Sequence, residues 1–188
     1  MGFGDLFKPK YKHSNPDVRK EAITKLDDLK LLGEIVRNEN NEEVKEAALN
    51  KMDEIYISIV ESRAPEKEQR DAIRKIRNED YLIKVVKSYD ESPLSSRYTK
   101  WVCIGALGNS NLTDESLLCK MAENDDSFIR MGCLFNDNLK DPYASCYIGK
   151  HARDFRDAND ALRKLERLGY KDKPCYDSVL RNAQRLHG

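Results

Sequence analysis

The stretch NPDVRKEAITKL (residues 15–26) decides the fold, because it returns as NEEVKEAALNKM at residues 41–52. The alignment places Ala22 on Ala48 and keeps the flanking apolar positions in register. A weaker third copy, PEKEQRDAIRKI, begins at Pro65. Repetition at such a period is typical of solenoids, in which each short unit buries its apolar face against its neighbours.

Two later segments fit the same frame, SSRYTKWVCIGA (95–106) and DSFIRMGCLFND (126–137). Four copies start with a residue whose short side chain can accept a hydrogen bond from the first turn of a helix. These predicted N-cap residues are Asn15, Asn41, Ser95 and Asp126. The repeated element is therefore predicted to be a helix.

A second series of helices is predicted between the copies, at residues 28–38, 79–89 and 113–124, where apolar residues recur every three or four positions. Residues 54–62 (EIYISIVES) alternate like a strand, but they occupy a helix position in the repeat. We predict a helix there also. The chain then reads as a row of about five helix pairs.

The segment after residue 137 has no counterpart in the repeat. Residues 157–170 predict a helix with Gly169 as its C-cap, and a last helix follows Pro174. We expect this segment to cap the row. At the other end, FGDLF (residues 3–7) has apolar residues at helical spacing and is expected to cover the first repeat or to anchor a partner protein or membrane surface.

Composition narrows the functional classes. Lysine plus arginine and aspartate plus glutamate both number 33, so no overall field draws the protein to nucleic acid or membranes. Five cysteines without CxxC spacing, and no apolar run long enough for a signal peptide or membrane span, predict reduced thiols in a cytoplasmic protein. No catalytic motif, metal-ligand spacing or cofactor motif is present.

The opening stretch and its second copy resemble HEAT-like repeats, in which a D-x-x-V-R-x-x-A helix alternates with a leucine-rich partner, and residues 7–26 resemble the start of a bacterial HEAT-repeat group. The resemblance implies an all-α fold, a right-handed superhelix of helix pairs belonging to the armadillo-like α-solenoids. Along the sequence we predict one domain that consists of an N-terminal cap segment (1–14), HEAT-like repeats (15–137) and a C-terminal helical cap (138–188). Members of this family mostly bind macromolecules, although some are DNA glycosylases or bilin lyases, so the fold transfers no function.

Arg19 lies within the apolar arc of its helix, and Arg130 repeats this position. A half-buried guanidinium must be paired. We therefore expect a structural clamp between repeats, with acidic residues at helix starts as partners; the alternative is an arginine that faces a ligand. The proposed acidic partners are Asp17, Asp27, Asp28, Glu42 and Glu43.

Lys25, Lys51 and Lys75 occupy one helix position in three successive copies. With Lys20 and Arg70 they could form a basic stripe on the concave face that meets phosphates or an acidic peptide. The alternative is a solvated face neutralised by neighbouring acids.

Trp101, the single tryptophan, is a candidate binding hot spot or base-stacking platform, and burial in the core is the alternative. Cys146 and His151 are spaced poorly for a metal. The sequence therefore favours a non-catalytic binding or scaffold module that recognises a protein on its concave face. The alternatives are a nucleic-acid binder that uses the lysines, and an enzyme of the glycosylase or lyase kind.

Overall fold

A computed structural model describes residues 9–93, 96–171 and 173–188, and every regular element among them is helical. The described chain contains eleven α-helices and one short 3-10 helix, and the helices pack in neighbouring pairs. Two compact units divide the chain between Arg63 and Ala64. The predicted helices at 54–62 and in the repeat copies are confirmed as helical.

The first unit holds the 3-10 helix Lys10–Lys12 and helices α1 (Pro16–Ile23), α2 (Leu29–Asn38) and α3 (Glu42–Glu61). Both α1 and α2 pack against α3. Their shared core consists of five buried side chains: Ile23, Leu32, Ile35, Val44 and Ala48.

Helix α3 corrects one detail of the sequence interpretation. Residues 41–52 and 54–62 were expected to form two helices, but they form one continuous helix of 20 residues. No proline or glycine interrupts this stretch, so the backbone hydrogen bonds can continue through it. Two N-caps of the first unit are as predicted: Asn15 accepts a hydrogen bond from the N–H of Asp17, and Asn41 accepts one from the N–H of Val44.

The second unit contains eight helices. They are α4 (Glu66–Ile73), α5 (Glu79–Glu91), α6 (Lys100–Leu107), α7 (Glu115–Ala122), α8 (Ser127–Leu134), α9 (Pro142–Lys150), α10 (Phe155–Arg167) and α11 (Pro174–His187). Helices α4, α6, α8 and α10 contact one another in that order, α5 packs on α6, and α7 packs on α8. Helices α9, α10 and α11 pack mutually.

Buried polar side chains tie successive helices of this unit together. Asn109 Nδ2 donates to the carbonyls of Ile73 and Ile76 at the end of α4, each at 2.9 Å. Asn136 Nδ2 likewise donates to the carbonyl of Leu107 at the end of α6, at 2.8 Å. Helix-end carbonyls lack intrahelical partners, so these bonds satisfy groups that would be costly to bury alone.

The same role recurs further along the chain with other residues. Lys164 Nζ on α10 donates to the carbonyls of Leu134 (2.9 Å) and Asn136 (2.6 Å) at the end of α8. Asn182 Nδ2 on α11 donates to the Gly149 carbonyl at the end of α9, at 2.9 Å. The ends of α4, α6, α8 and α9 are thus each held by a buried donor from a later segment of the chain.

Two glycines allow close helix contacts. A Cβ added to Gly105 would lie 2.5 Å from Cγ2 of Ile73, and one added to Gly149 would lie 2.5 Å from Cγ1 of Val179. A third glycine, Gly169, was predicted as the C-cap of α10. The C-cap is Leu168, and Gly169 follows it with a φ of 78°.

The fourth repeat copy begins later than the sequence frame placed it. Helix α6 starts at Lys100 after the N-cap Thr99, whose side chain accepts from the N–H of Val102 at 3.4 Å. Ser95, the predicted N-cap, lies outside the described residues. Thr99 is the nearest residue before the apolar run whose side chain can cap a helix. With the N-caps Thr99 and Asp126 aligned, Trp101 is the equivalent of Phe128, 27 positions later.

The cysteines also depart from expectation. Cys146 on α9 and Cys175 on α11 are joined by a disulfide with a Cα–Cα distance of 5.9 Å, whereas Cys103, Cys119 and Cys133 are free thiols. Sequence spacing could not reveal this pair, because packing brings together residues 29 positions apart. The expectation that all five are reduced is therefore wrong for this pair.

The predicted N-terminal cover at residues 3–7 lies outside the described residues. Among the helices that are described, none is both long and apolar enough to cross a membrane.

Candidate functional site

A groove of about 680 Å³ runs along α8 and α10 in the second unit. It is the candidate site because it brings together exposed aromatic side chains and a group of ionisable ones. Its lining consists of Ser127, Phe128, Met131, Phe135, Arg153, Asp154, Phe155, Arg156, Asp157 and Asp160.

The wall formed by α8 is apolar. Asp126 caps this helix by accepting from the N–H of Phe128 at 2.8 Å, which fixes the helical register. Phe128 is 52% exposed, and Met131 is buried. Phe135, the C-cap of α8, keeps helical backbone angles and is 63% exposed. These residues have i, i+3, i+7 spacing and so lie on one helix face. Large exposed apolar side chains in a row are a feature of interaction surfaces.

Trp101 borders this wall. Its ring packs edge-on against Phe128 with centroids 5.3 Å apart, and it is half-buried. Lys100 Nζ lies 5.0 Å from the centre of the Phe128 ring and forms an ion pair with Asp126 at 3.0 Å. Trp101 therefore supports the aromatic wall from α6. Neither sequence alternative, an exposed platform or a core residue, describes this position fully.

The wall formed by α10 is acidic. Asp154 caps the helix by accepting from the N–H of Asp157 at 2.9 Å, and Asp160 follows one turn later. Burial, together with the nearby carboxylates of Asp154 and Asp160, raises the pKa of Asp157, and Arg130 and Arg156 only partly oppose this. A negative charge at Asp157 is therefore less stable than it would be in water.

Phe155 closes one end of the groove. Its ring is 38% exposed and stacks on His187 of α11 with centroids 4.5 Å apart. The last helix of the chain thus supports the groove, which gives the C-terminal segment a structural connection to the site.

Arg130, on α8, is buried, with 5% of its surface exposed. Its Nη1 donates to the carbonyls of Asn124 (2.8 Å) and Asp125 (2.9 Å), and its Nη2 donates to the backbone carbonyl of His151 (2.9 Å). These contacts join the start of α8 to the end of α9 and leave the guanidinium facing protein rather than solvent. They are the contacts of a structural residue.

Arg19 makes the same local contacts in the first unit. Its Nη1 donates to the carbonyls of His13 (2.7 Å) and Ser14 (3.0 Å), six and five positions before it, as Arg130 does. Its Nε and Nη2 bind both carboxylate oxygens of Glu39, at 2.9 and 3.1 Å. Glu39 was not among the acidic partners proposed from the sequence.

A second cavity of about 360 Å³ adjoins this ion pair. It is lined partly by Tyr11, Leu31 and Ile35, with Arg19 and Glu39 at its edge. Because the arginine is already bound by one carboxylate and two carbonyls, its charge is largely neutralised there.

The lysines proposed for binding lie beside carboxylates. Lys25 Nζ pairs with Glu21 at 2.7 Å, and Lys51 Nζ lies 3.3 Å from Glu54, with a side chain only 16% exposed. Lys20 Nζ pairs with Glu43 at 2.7 Å.

The other two proposed cationic residues belong to the second unit. Lys75 is exposed. Because it belongs to a different unit from Lys25 and Lys51, the column of three lysines stays a prediction. Arg70 is half-buried, and its Cγ would lie 3.7 Å from a Cβ at Gly105, so its side chain packs beside α6.

Sequence reasoning missed Phe128, Phe135 and the α10 carboxylates as site residues. Two signals could have found them. The apolar residues of SFIRMGCLF (127–135) exceed what one buried face of a helix requires, and Asp154, Asp157 and Asp160 recur every three positions.

Within the described parts of the chain, no group of three or more His, Cys, Asp or Glu side chains is placed to hold a metal ion. The chain matches no protein-family model, no curated protein and no solved structure. The resemblance to HEAT-like repeats therefore rests on the motif alone, and the helical packing is compatible with a helical repeat fold.

Proposed function

We propose that this protein is a non-catalytic binding module that docks a helix of a partner protein in the groove between α8 and α10. The observation that carries the proposal is the exposure of Phe128 and Phe135 on one face of α8. Removing such rings from water upon binding yields roughly 1.5–3 kcal/mol for each fully buried side chain. Exposed phenylalanines that the fold does not bury are therefore well suited to a partner.

The finer description of the fold is part of this proposal. We infer a HEAT-like solenoid, with α4, α6, α8 and α10 as one layer of a right-handed superhelix. The recurrence of GALGNSNL (105–112) as GCLFNDNL (132–139), 27 positions later, supports this inference. Both copies place an asparagine, Asn109 or Asn136, on the end of the preceding helix of the layer.

A protein partner is favoured over nucleic acid because the three lysines of the first unit that were proposed to bind phosphates, Lys20, Lys25 and Lys51, already lie beside carboxylates. Lys25 and Lys20 each form an ion pair at 2.7 Å, so phosphates would have to compete with carboxylates. The groove itself carries three aspartates and two arginines, which is not the basic surface that phosphate backbones require.

Catalysis has one supporting observation, the raised pKa of Asp157 beside aromatic residues. Burial and two neighbouring carboxylates already account for the raised pKa. A structural ion cluster perturbs a carboxyl group in the same way as an active site does. Binding is therefore the better-supported function.

The test compares three forms of the full-length protein as affinity baits in extracts of its source: wild type, Phe128→Ser/Phe135→Ser, and Tyr143→Ser. Tyr143 is 73% exposed on α9 and is not among the groove residues, which makes it a matched control. Each captured protein is then purified and its Kd for the three baits is measured.

A protein that docks in the groove should bind wild type and Tyr143→Ser equally. Its Kd for the double variant should rise at least about 30-fold, since interface hot spots contribute about 2 kcal/mol or more each. The proposal is wrong if every purified partner binds the double variant as tightly as wild type.

A further inference from the structure

The two walls of the groove differ in chemistry. One wall is the apolar face of α8, with Phe128 and Phe135 above Met131, and the other is the acidic start of α10. Helices α8 and α10 contact each other, so the two walls lie side by side. A ligand that fills the groove must therefore satisfy an apolar surface and a charged one together.

The acidic wall is arranged along one helical direction. Asp154, Asp157 and Asp160 are spaced at three positions, so their carboxylates follow one another along one side of α10. Asp160 is partly neutralised by Arg163 at 3.5 Å, but no ion pair of Asp157 is found among the described residues. Burial and like charge raise the pKa of Asp157, so a cation placed beside it would stabilise the carboxylate.

Two arginines line the same groove, and their positive charges oppose the attraction of a cation to the aspartates. Arg153 and Arg156 reduce the charge of the lining from −3 to −1. Both are exposed, whereas Asp157 is half-buried. Charge interactions are screened most at exposed sites, so the half-buried carboxylate dominates recognition inside the groove.

We propose that the groove recognises a basic amphipathic helix of a partner protein, with apolar residues against α8 and a lysine or arginine beside Asp157. This proposal rests on the proposed function, because it names the partner class of the same site. The apolar face runs over the eight residues from Phe128 to Phe135, a rise of about 10 Å, which is two turns of an α-helix. A helix with anchors at i, i+3, i+4 and i+7 matches that length.

The probes are two synthetic 18-residue peptides that share leucines at positions i, i+3, i+4 and i+7. One has lysine and glutamine on its remaining face, and the other has glutamate and glutamine. Neither contains an aromatic residue, so the emission of Trp101, the single tryptophan, reports binding near Phe128. Affinities are measured with the full-length protein at low and at physiological salt.

The lysine peptide should bind at least about tenfold more tightly than the glutamate peptide at low salt, and the ratio should shrink as salt is added. The variant Asp157→Asn/Asp160→Asn should bring the ratio close to one. Asp154 is left unchanged because it caps α10. The control Glu123→Gln/Asp177→Asn changes net charge equally outside the groove and should keep the ratio.

Equal affinity for the two peptides would overturn the inference, and so would a preference that survives Asp157→Asn/Asp160→Asn. If both peptides bind equally and Phe135→Ser weakens both, the groove docks helices without charge selection, and the proposed function stands alone. If neither peptide binds, the inference is overturned and the proposed function is judged by the capture experiment.

A third peptide, with this chain's own residues 1–14, tests whether the N-terminal segment itself occupies the groove. It carries Phe3, Leu6 and Phe7 followed by Lys8 and Lys10, the same combination of apolar and basic residues. If it binds the groove more tightly than the lysine peptide, the occupant is this chain's own N-terminal segment, from the same or a second copy, and the proposal of a separate partner protein is overturned.

Discussion

The Nζ atom of Lys164 lies 2.6 Å from the carbonyl oxygen of Asn136, and both residues are buried. In the preceding copy the equivalent carbonyls are held by the Asn136 amide, so an amine that can carry a charge here replaces a neutral amide. Burial of the amine is costly, and it lowers the pKa of Lys164 to about 8. The helix end is thus secured by a group whose charge depends on pH.

Lys164 should make stability rise with pH between about 8 and 10.5. In this window the unfolded chain binds the proton of Lys164 more tightly than the folded chain does, and stability rises with pH wherever the unfolded state binds more protons. Wild type should therefore gain up to about 3 kcal/mol in unfolding free energy relative to Lys164→Met across the window. Urea unfolding at several pH values measures the difference.

Lys150→Met, at an exposed lysine, is the control and should show no such trend. A difference between wild type and Lys164→Met that stays constant, or that falls with pH, would contradict a depressed pKa at Lys164.

The ion pair of Arg19 and Glu39 should stabilise the first unit in a pH-dependent way. Although burial opposes it, hydrogen bonds from the backbone of Asn41 and from Arg19 hold the pKa of Glu39 below its usual value. The stabilisation is therefore fully present above about pH 4.5, the ordinary value, and is lost as the pH falls through the folded-state pKa.

Glu39→Gln should cost about 1–3 kcal/mol at pH 7, because the half-buried guanidinium loses its charged partner. The cost should shrink as the pH falls through the folded-state pKa of Glu39, which lies below 4.5. Glu42→Gln removes an exposed pair with Lys45 and should change stability by less than about 0.5 kcal/mol. Equal effects of the two substitutions would show that the buried pair has no special role.

Local signals predicted most of the helices. Asn15, Asn41 and Asp126 cap helices because their short side chains accept a hydrogen bond from a backbone N–H of the first turn. Gly169 ends α10 because it adopts the positive φ that other residues avoid. These features depend on a few neighbouring residues, so the sequence contains them directly.

The site could not be predicted in the same way, because it depends on which face of α8 stays exposed. The helix has apolar residues on most of its surface, and Ile129 and Leu134 are buried while Phe128 and Phe135 are not. Periodicity alone cannot decide which of these faces the core. The α10 wall comes beside them only through the packing of residues about 25 positions apart.

Gly149 should tolerate no side chain. An added Cβ would lie 2.5 Å from Val179 Cγ1 and 2.8 Å from Ala161 Cβ, both of which belong to packed helices. Gly149→Ala should therefore destabilise the protein by about 1–3 kcal/mol, as overpacked cores do. Adding Val179→Ala should recover part of this loss, which thermal unfolding of the four proteins in the cycle can measure.

Gly33→Ala is the matched comparison, since its Cβ would meet only Arg37 Nη1, at 3.6 Å, on an open helix. It should stabilise α2 by about 0.5–1 kcal/mol, the usual gain from alanine over glycine in a helix. If both alanine substitutions stabilise the protein, the close contact of α9 with α11 is wrong.

The disulfide between Cys146 and Cys175 should leave three titratable thiols in the air-oxidised, denatured protein: Cys103, Cys119 and Cys133. Thiol titration in guanidinium with and without prior reduction counts them. Five thiols before reduction would contradict the bond. Because it closes a loop of 29 residues, reduction or Cys175→Ser should lower the unfolding free energy by about 3–4 kcal/mol, as chain-entropy arguments give.

Phe135 should prove dispensable for folding, in contrast to its neighbour Leu134. Phe135 is 63% exposed, whereas Leu134 is 2% exposed, although the two are adjacent on α8. Phe135→Ser should change the unfolding free energy by no more than about 0.5 kcal/mol, and Leu134→Ala should cost about 2–5 kcal/mol. Chemical denaturation of the two variants, followed by circular dichroism, measures both values. If Phe135→Ser is as costly as Leu134→Ala, the ring belongs to the core and is not available to a partner. If it is nearly neutral, folding does not explain the phenylalanine, and the groove has an apolar wall that serves binding.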